Sequence, residues 1–176
     1  MTTKASNLFA QLENQRILLM AELSIYDDAT LNKKPSPEAW SVVQVMQHLI
    51  SAEAASLAYI KKKLSYTNKI PKAGLISFLR RISLSIIFSL PLKFKAPAGL
   101  ETFPDHANFN SLKNQWASQR LELQHFMDSI PDNMFKTALW RHAVVGKMSM
   151  TQMLSFFHSH TERHRGQIER TLRKVQ

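Results

Sequence analysis

Histidine supplies the chemistry in this sequence. The stretch "FFHSHTERHRGQI", residues 156–168, holds His158, His160 and His164. A neutral imidazole offers one ring nitrogen to a divalent metal. Four residues turn a helix by about 400°, so His160 and His164 face the same way, one turn apart. His158 precedes His160 by two positions, faces nearly the opposite way and is left out of the pair. The stripe through Met153, Phe156, Phe157, His160, His164, Ile168 and Thr171 is otherwise largely apolar. Glu162, Arg163, Arg165, Glu169 and Arg173 occupy the other side. Two imidazoles in an apolar seam are costly unless something satisfies them, and a shared metal ion does so.

A metal needs a third ligand, and an earlier helix offers His48. It lies on an inward stripe of Val45, His48, Leu49, Ala52, Ser56 and Tyr59. Three neutral imidazoles leave coordination positions open, the pattern of a catalytic site rather than a closed structural one. Gln167, near the face of His164, is placed to hydrogen-bond a metal-bound water or ligand group. His142 falls in a loop before the last helix, where a loop hydrogen bond is expected rather than ligation. No inward carboxylate stands out as a general base, since Glu53 follows His48 by five positions, a poor same-face spacing. The catalytic acid and base are therefore left unassigned.

Helices must position these groups. Residues 4–26 carry Leu8, Leu12, Leu19, Leu23 and Tyr26 on one stripe. "DDATLNKKPSPEA" interrupts the pattern, and Ser41 with Gln44 forms a capping box that opens a second helix. A third helix spans 109–130, with Leu112, Trp116, Leu123 and Met127 inward and Pro131 as its stop. After the loop "PDNMFKTALWRHAVVGK", a second capping box, Ser149 with Gln152, opens the fourth helix. Between helices two and three lie about 40 residues, including an expected short helix at 75–89 and an extended link at 93–105. The fold class is all-α: one domain over 1–176, a four-helix bundle with a long crossover between helices two and three. A crossover of that length lets those two helices run parallel.

Two segments carry a family resemblance. "PSPEAWSVVQVMQHLISAE" (35–53) resembles the second helix of the DinB-like family, in which Trp-Ser precedes the helix and His-Leu follows. "HAVVGKMSMTQMLSFFHSHTERHRGQI" (142–168) resembles that family's end: a His, a Gly four residues later, a capped helix, then His-x3-His followed by Gln. The resemblance implies a bundle with a crossover. It implies His48, His160 and His164 as ligands of a divalent ion, nickel or zinc. It also implies a small-molecule substrate, with hydrolase chemistry or thiol-transferase chemistry using a low-molecular-weight thiol such as bacillithiol or mycothiol. His142 matches a position the family often fills with His.

Composition sets limits. There is no cysteine, which excludes disulfides, thiolate metal sites and a cysteine nucleophile, so any thiol must come from a cosubstrate. The N-terminus lacks a signal-peptide core, and no run reaches a membrane span, so the chain is read as cytoplasmic. Net charge is +10, and residues 54–100 hold nine Lys and Arg and no acid. A competing reading makes the chain a non-catalytic binding protein that contacts nucleic acid or membrane through the basic segment 61–99. No nucleic-acid motif accompanies that charge. Packing of the apolar run 75–92 on the bundle, or in a homodimer, is the simpler expectation.

Overall fold

The computed structural model describes residues 1–67, 69–74, 79, 102–142 and 145–176. The helix expected at 75–89 and the link from 93 to 101 lie outside these, apart from Leu79.

Helix α1 spans Thr3–Leu23, α2 Asp28–Asn32, α3 Val42–Tyr66, α4 Phe109–Ser129 and α5 Met150–Val175. Both capping boxes form. Ser41 accepts from the Gln44 amide while the Gln44 side chain accepts from the Ser41 N–H, and Ser149 and Gln152 repeat the arrangement. Asn108 caps α4 by accepting from Ser111 N–H. The stretch after α1, expected as a break, contains α2 instead. Asp27 caps this short helix by accepting from Thr30 N–H at 2.8 Å. Burial of Leu31 holds it to the bundle.

Side-chain register gives the helix directions. Along α3 and α4, Ile50 O accepts from Gln119, Glu53 meets Trp116 and Arg120, and Lys61 meets Glu122. Val45 and Leu49 share a core cluster with Leu112 and Trp116, and Leu57 and Ile60 share the next with Leu123 and Met127, so the two helices are parallel, as the crossover length suggested. Helices α1 and α5 are parallel by the same reasoning: Gln15 meets Glu162, and Glu22 meets Arg165. Helix α5 packs on both α1 and α3.

The loop between α4 and α5 is more ordered than the sequence suggested. A 3-10 helix covers Asp132–Lys136, and an antiparallel hairpin pairs β1 (Trp140–His142) with β2 (Gly146–Met148). Gly146 has φ 84°, a conformation that side-chain-bearing residues rarely adopt. Three-residue strands are too short for period-two alternation to register in a sequence. Their stability comes from Trp140 and Met148, which are buried in the core.

The apolar interior divides into two clusters. One joins Phe9, Leu12, Leu57, Ile60, Leu123, Met127, Trp140 and Phe157. The other joins Leu19, Leu23, Val45, Leu49, Leu112, Trp116, Ile168 and Leu172. Buried polar side chains lie between them along the helices: Gln15, Arg16, Glu53, Arg120, His160 and Thr161. Tyr59, expected inward, is 38 % exposed. The buried face of α3 rotates past mid-helix to Glu53, Leu57 and Ile60, which leaves Tyr59 outside beneath the Lys63 ammonium.

Candidate metal centre

Helices α3 and α5 bring three imidazoles to one point. His48 Nε2 lies 3.3 Å from His160 Nε2, which lies 3.1 Å from His164 Nε2. Each of the three rings offers a nitrogen within 4.8 Å of one from each of the others. Ligands on a tetrahedral zinc at about 2.0–2.1 Å stand about 3.3–3.4 Å apart. The His160 contacts thus have the spacing of nitrogens around a common ion. This donor set also explains itself poorly without one: three ring nitrogens facing each other pit lone pairs against lone pairs unless a proton or a cation sits among them. The residues present fit a divalent ion.

His160 and His48 are buried, and His164 is half-buried. Burial pushes the His164 pKa down to about 3, with His48 and Arg163 adding to the effect and the Gln167 hydrogen bond opposing it. His160 is likewise lowered by burial, then by His164, His48, His142 and Arg163. Both rings are therefore neutral at physiological pH, the form that coordinates a metal.

Gln167 contacts the site through the His164 ring. Its side-chain oxygen lies 2.9 Å from His164 Nδ1. An amide oxygen can only accept, so Nδ1 carries the proton and Nε2 keeps its lone pair toward the other two rings. His158 is not in the cluster, and its backbone carbonyl accepts from Gln15. His142 lies on β1, where Nδ1 accepts a long 3.4 Å bond from Val145 N–H. Its ring meets the edge of Phe156, centroids 4.8 Å apart, and Phe156 stacks on His160 at 5.1 Å and 16°. One aromatic layer thus separates His142 from the triad. On the other flank Trp40 lies 5.0 Å from His48, and Phe103 lies 5.6 Å from Trp40. These half-buried rings form an apolar rim around the nitrogens.

Glu53, set aside on its spacing as a general base, has a structural role instead. It is buried and held by Arg120 through two 2.7 Å bonds, with Trp116 Nε1–H donating to it at 3.1 Å. It faces α4 rather than the histidines, which agrees with the five-residue spacing from His48. The available signal was the pair Trp116 and Arg120, four residues apart on the inward face of α4.

Acid should weaken the metal-free protein. His142 is lowered to about 4 by burial, and His164 to about 3. An unfolded histidine takes up its proton near 6.5 while these folded ones do not, so protons favour the unfolded chain. Stability is full above about pH 6.5 and is lost as pH falls toward those lowered values. Thermal melts of chelated protein should show a drop of about 1–2 kcal/mol per histidine between pH 7 and 5. A flat profile over that range would contradict the burial described.

The fold and the site define a helical-bundle protein with a three-histidine centre between two of its long helices. The chain belongs to the DinB superfamily, whose family model matches residues 11–168. It is 26% identical over 155 residues to the uncharacterized protein YuaE of Bacillus subtilis (strain 168), an alignment covering 88% of this chain and 91% of YuaE. Among solved structures it resembles YfiT from Bacillus subtilis, described as "a probable metal-dependent hydrolase with an unusual four-helix bundle topology". That match has a TM-score of 0.62 at 17% identity and covers 98% of this chain and 89% of YfiT, so it shows a shared fold. No helix among the described residues is long and apolar enough to cross a membrane.

Proposed function

We propose that this protein is a metal-dependent enzyme that binds one divalent ion, nickel or zinc, through His48, His160 and His164 and acts on a small molecule. The convergence of the three imidazoles, with His48 Nε2 and His164 Nε2 both against His160 Nε2, carries the reading. A divalent ion held there supplies Lewis acidity toward a substrate heteroatom and toward water or a thiol. His160 and His164 stay neutral because they are buried, and Gln167 holds the His164 ring in its ligating tautomer. Trp40, Phe103 and Phe156 exclude water from the flanks and present apolar surface to the body of a substrate. Hydrolysis, named for YfiT, and transfer of a low-molecular-weight thiol both fit this layout. The thiol must be external because the chain has no cysteine.

The test is a turnover screen of protein loaded with nickel or zinc. Esters, amides and alkylating electrophiles are offered with and without low-molecular-weight thiols. Turnover that needs the metal and vanishes in His48→Ala supports the reading. Fully loaded protein that transforms none of them refutes it.

Gln167→Ala should fold normally but bind the metal about 10–100-fold more weakly, the usual cost of losing an outer partner of a ligating histidine. Gln167→Glu keeps an acceptor opposite Nδ1 and should restore binding. Equal affinities for all three proteins, by competition with a chelating dye, would dismiss the orienting role.

A further inference from the structure

We propose that the end of the bundle formed by the C-terminus of α3, residues 69–73, the 3-10 helix and the hairpin is a docking face for an anionic lipid bilayer surface. Arg141 and Lys147 are directly opposed across the hairpin, and both are exposed. Like charges in that position repel and weaken a sheet. Lys63 lies close enough to Lys147 for its pKa to be lowered, first by burial and then by that neighbour. Lys72 pairs with Thr137, and Ala73 N–H donates to Lys136 O, which brings exposed Lys69, Lys72 and Lys136 alongside the hairpin. Of the acids near this end, Asp132 is engaged by the Met1 amine and Glu122 by Lys61, and exposed Asp128 in the last turn of α4 sets one negative charge against six positive ones. Six cations thus share one end of the molecule, and an external anion would relieve their mutual repulsion.

The choice of lipid over nucleic acid rests on what surrounds them. The cations are spread over the hairpin, the end of α3, the 3-10 helix and the irregular segment 69–73, and among the described residues no helix carries a row of them that could enter a groove. Tyr66, the last residue of α3, is 77 % exposed, and tyrosine suits a boundary with one apolar and one wet side. Clusters of four to eight Lys and Arg are what anionic headgroups attract.

The metal-loaded protein, residues 1–176, is sedimented with vesicles of phosphatidylcholine alone or with phosphatidylserine added. It should bind only the anionic vesicles and release them as salt rises. The triple variant Lys72→Gln, Arg141→Gln, Lys147→Gln changes exposed positions only and should keep its circular dichroism and metal content. Each lost cation lowers partitioning about fivefold, so the variant should bind on the order of a hundredfold more weakly. Three outcomes would overturn the proposal. These are no binding by the wild type at low salt, unchanged binding by the folded variant, or single-stranded RNA bound in preference to the anionic vesicles with the same loss in the variant.

Discussion

Protein purified without a histidine tag and loaded to saturation should carry one divalent ion per chain, and His160→Ala should carry none after desalting. His160 is the middle of the triad: its Nε2 is the atom within 3.3 Å of both other ring nitrogens. Its removal leaves His48 and His164 with nothing between them. The loss in affinity should exceed the roughly 10–100-fold that outer partners cost, because a direct ligand is gone. The same variant separates ligation from packing. An ion at a hundred times its Kd stabilises the fold by about 2.7 kcal/mol. For a chain of this length that raises Tm by about 5–10 °C. Wild-type protein should show this increment on adding metal, and His160→Ala should show none, whatever its metal-free Tm. If His160→Ala still melts higher with metal and holds the ion stoichiometrically, the ligand assignment is wrong. His158→Ala, whose side chain lies outside the cluster, should behave as wild type.

The second large effect lies away from the histidines. Glu53→Gln should cost about 3–5 kcal/mol, the range for removing one partner of a buried ion pair. Arg120 is 1% exposed, and its guanidinium is clasped by both Glu53 oxygens. Its Nη1 is buried without a hydrogen-bond partner among the described residues. A neutral amide opposite leaves that charge uncompensated in the interior. The expected fall in Tm is about 6–20 °C. The double change Glu53→Leu, Arg120→Met removes both charges and should recover most of the loss, since apolar replacements of a buried pair are often neutral or better. Urea unfolding of wild type, Glu53→Leu, Arg120→Met and the double variant measures the coupling directly. A Glu53→Gln protein within 1 kcal/mol of wild type would mean that water reaches the pair. Metal binding should be nearly unchanged in the double variant, because Glu53 faces α4 and the triad lies between α3 and α5.

Much of this protein was determined locally and is legible residue by residue. Ser41 with Gln44 and Ser149 with Gln152 form caps from side chains three positions apart, so nothing distant is needed to recognise them. The same holds for His160 and His164, which one helical turn places side by side. His48 could be matched to them because it lies on an inward stripe, and the DinB-like motifs joined the two segments. The 3-10 helix and the hairpin escaped notice because three-residue strands leave no periodicity, and they exist only because Trp140 and Met148 find the core.

Tertiary structure decided what depends on which helix stands beside which. Gln167 lies three positions from His164, so their contact was possible from sequence, but the side-chain rotamers decided that its oxygen meets Nδ1. The Glu53–Arg120 pair spans 67 positions and needs α3 and α4 to run parallel. The aromatic rim gathers Trp40, Phe103 and Phe156 from three separate segments. Local spacing is set by backbone geometry and reads directly from the order of residues. Contacts across the chain are set by how whole faces pack, and many pairings of similar apolar stripes satisfy the same pattern until the fold selects one.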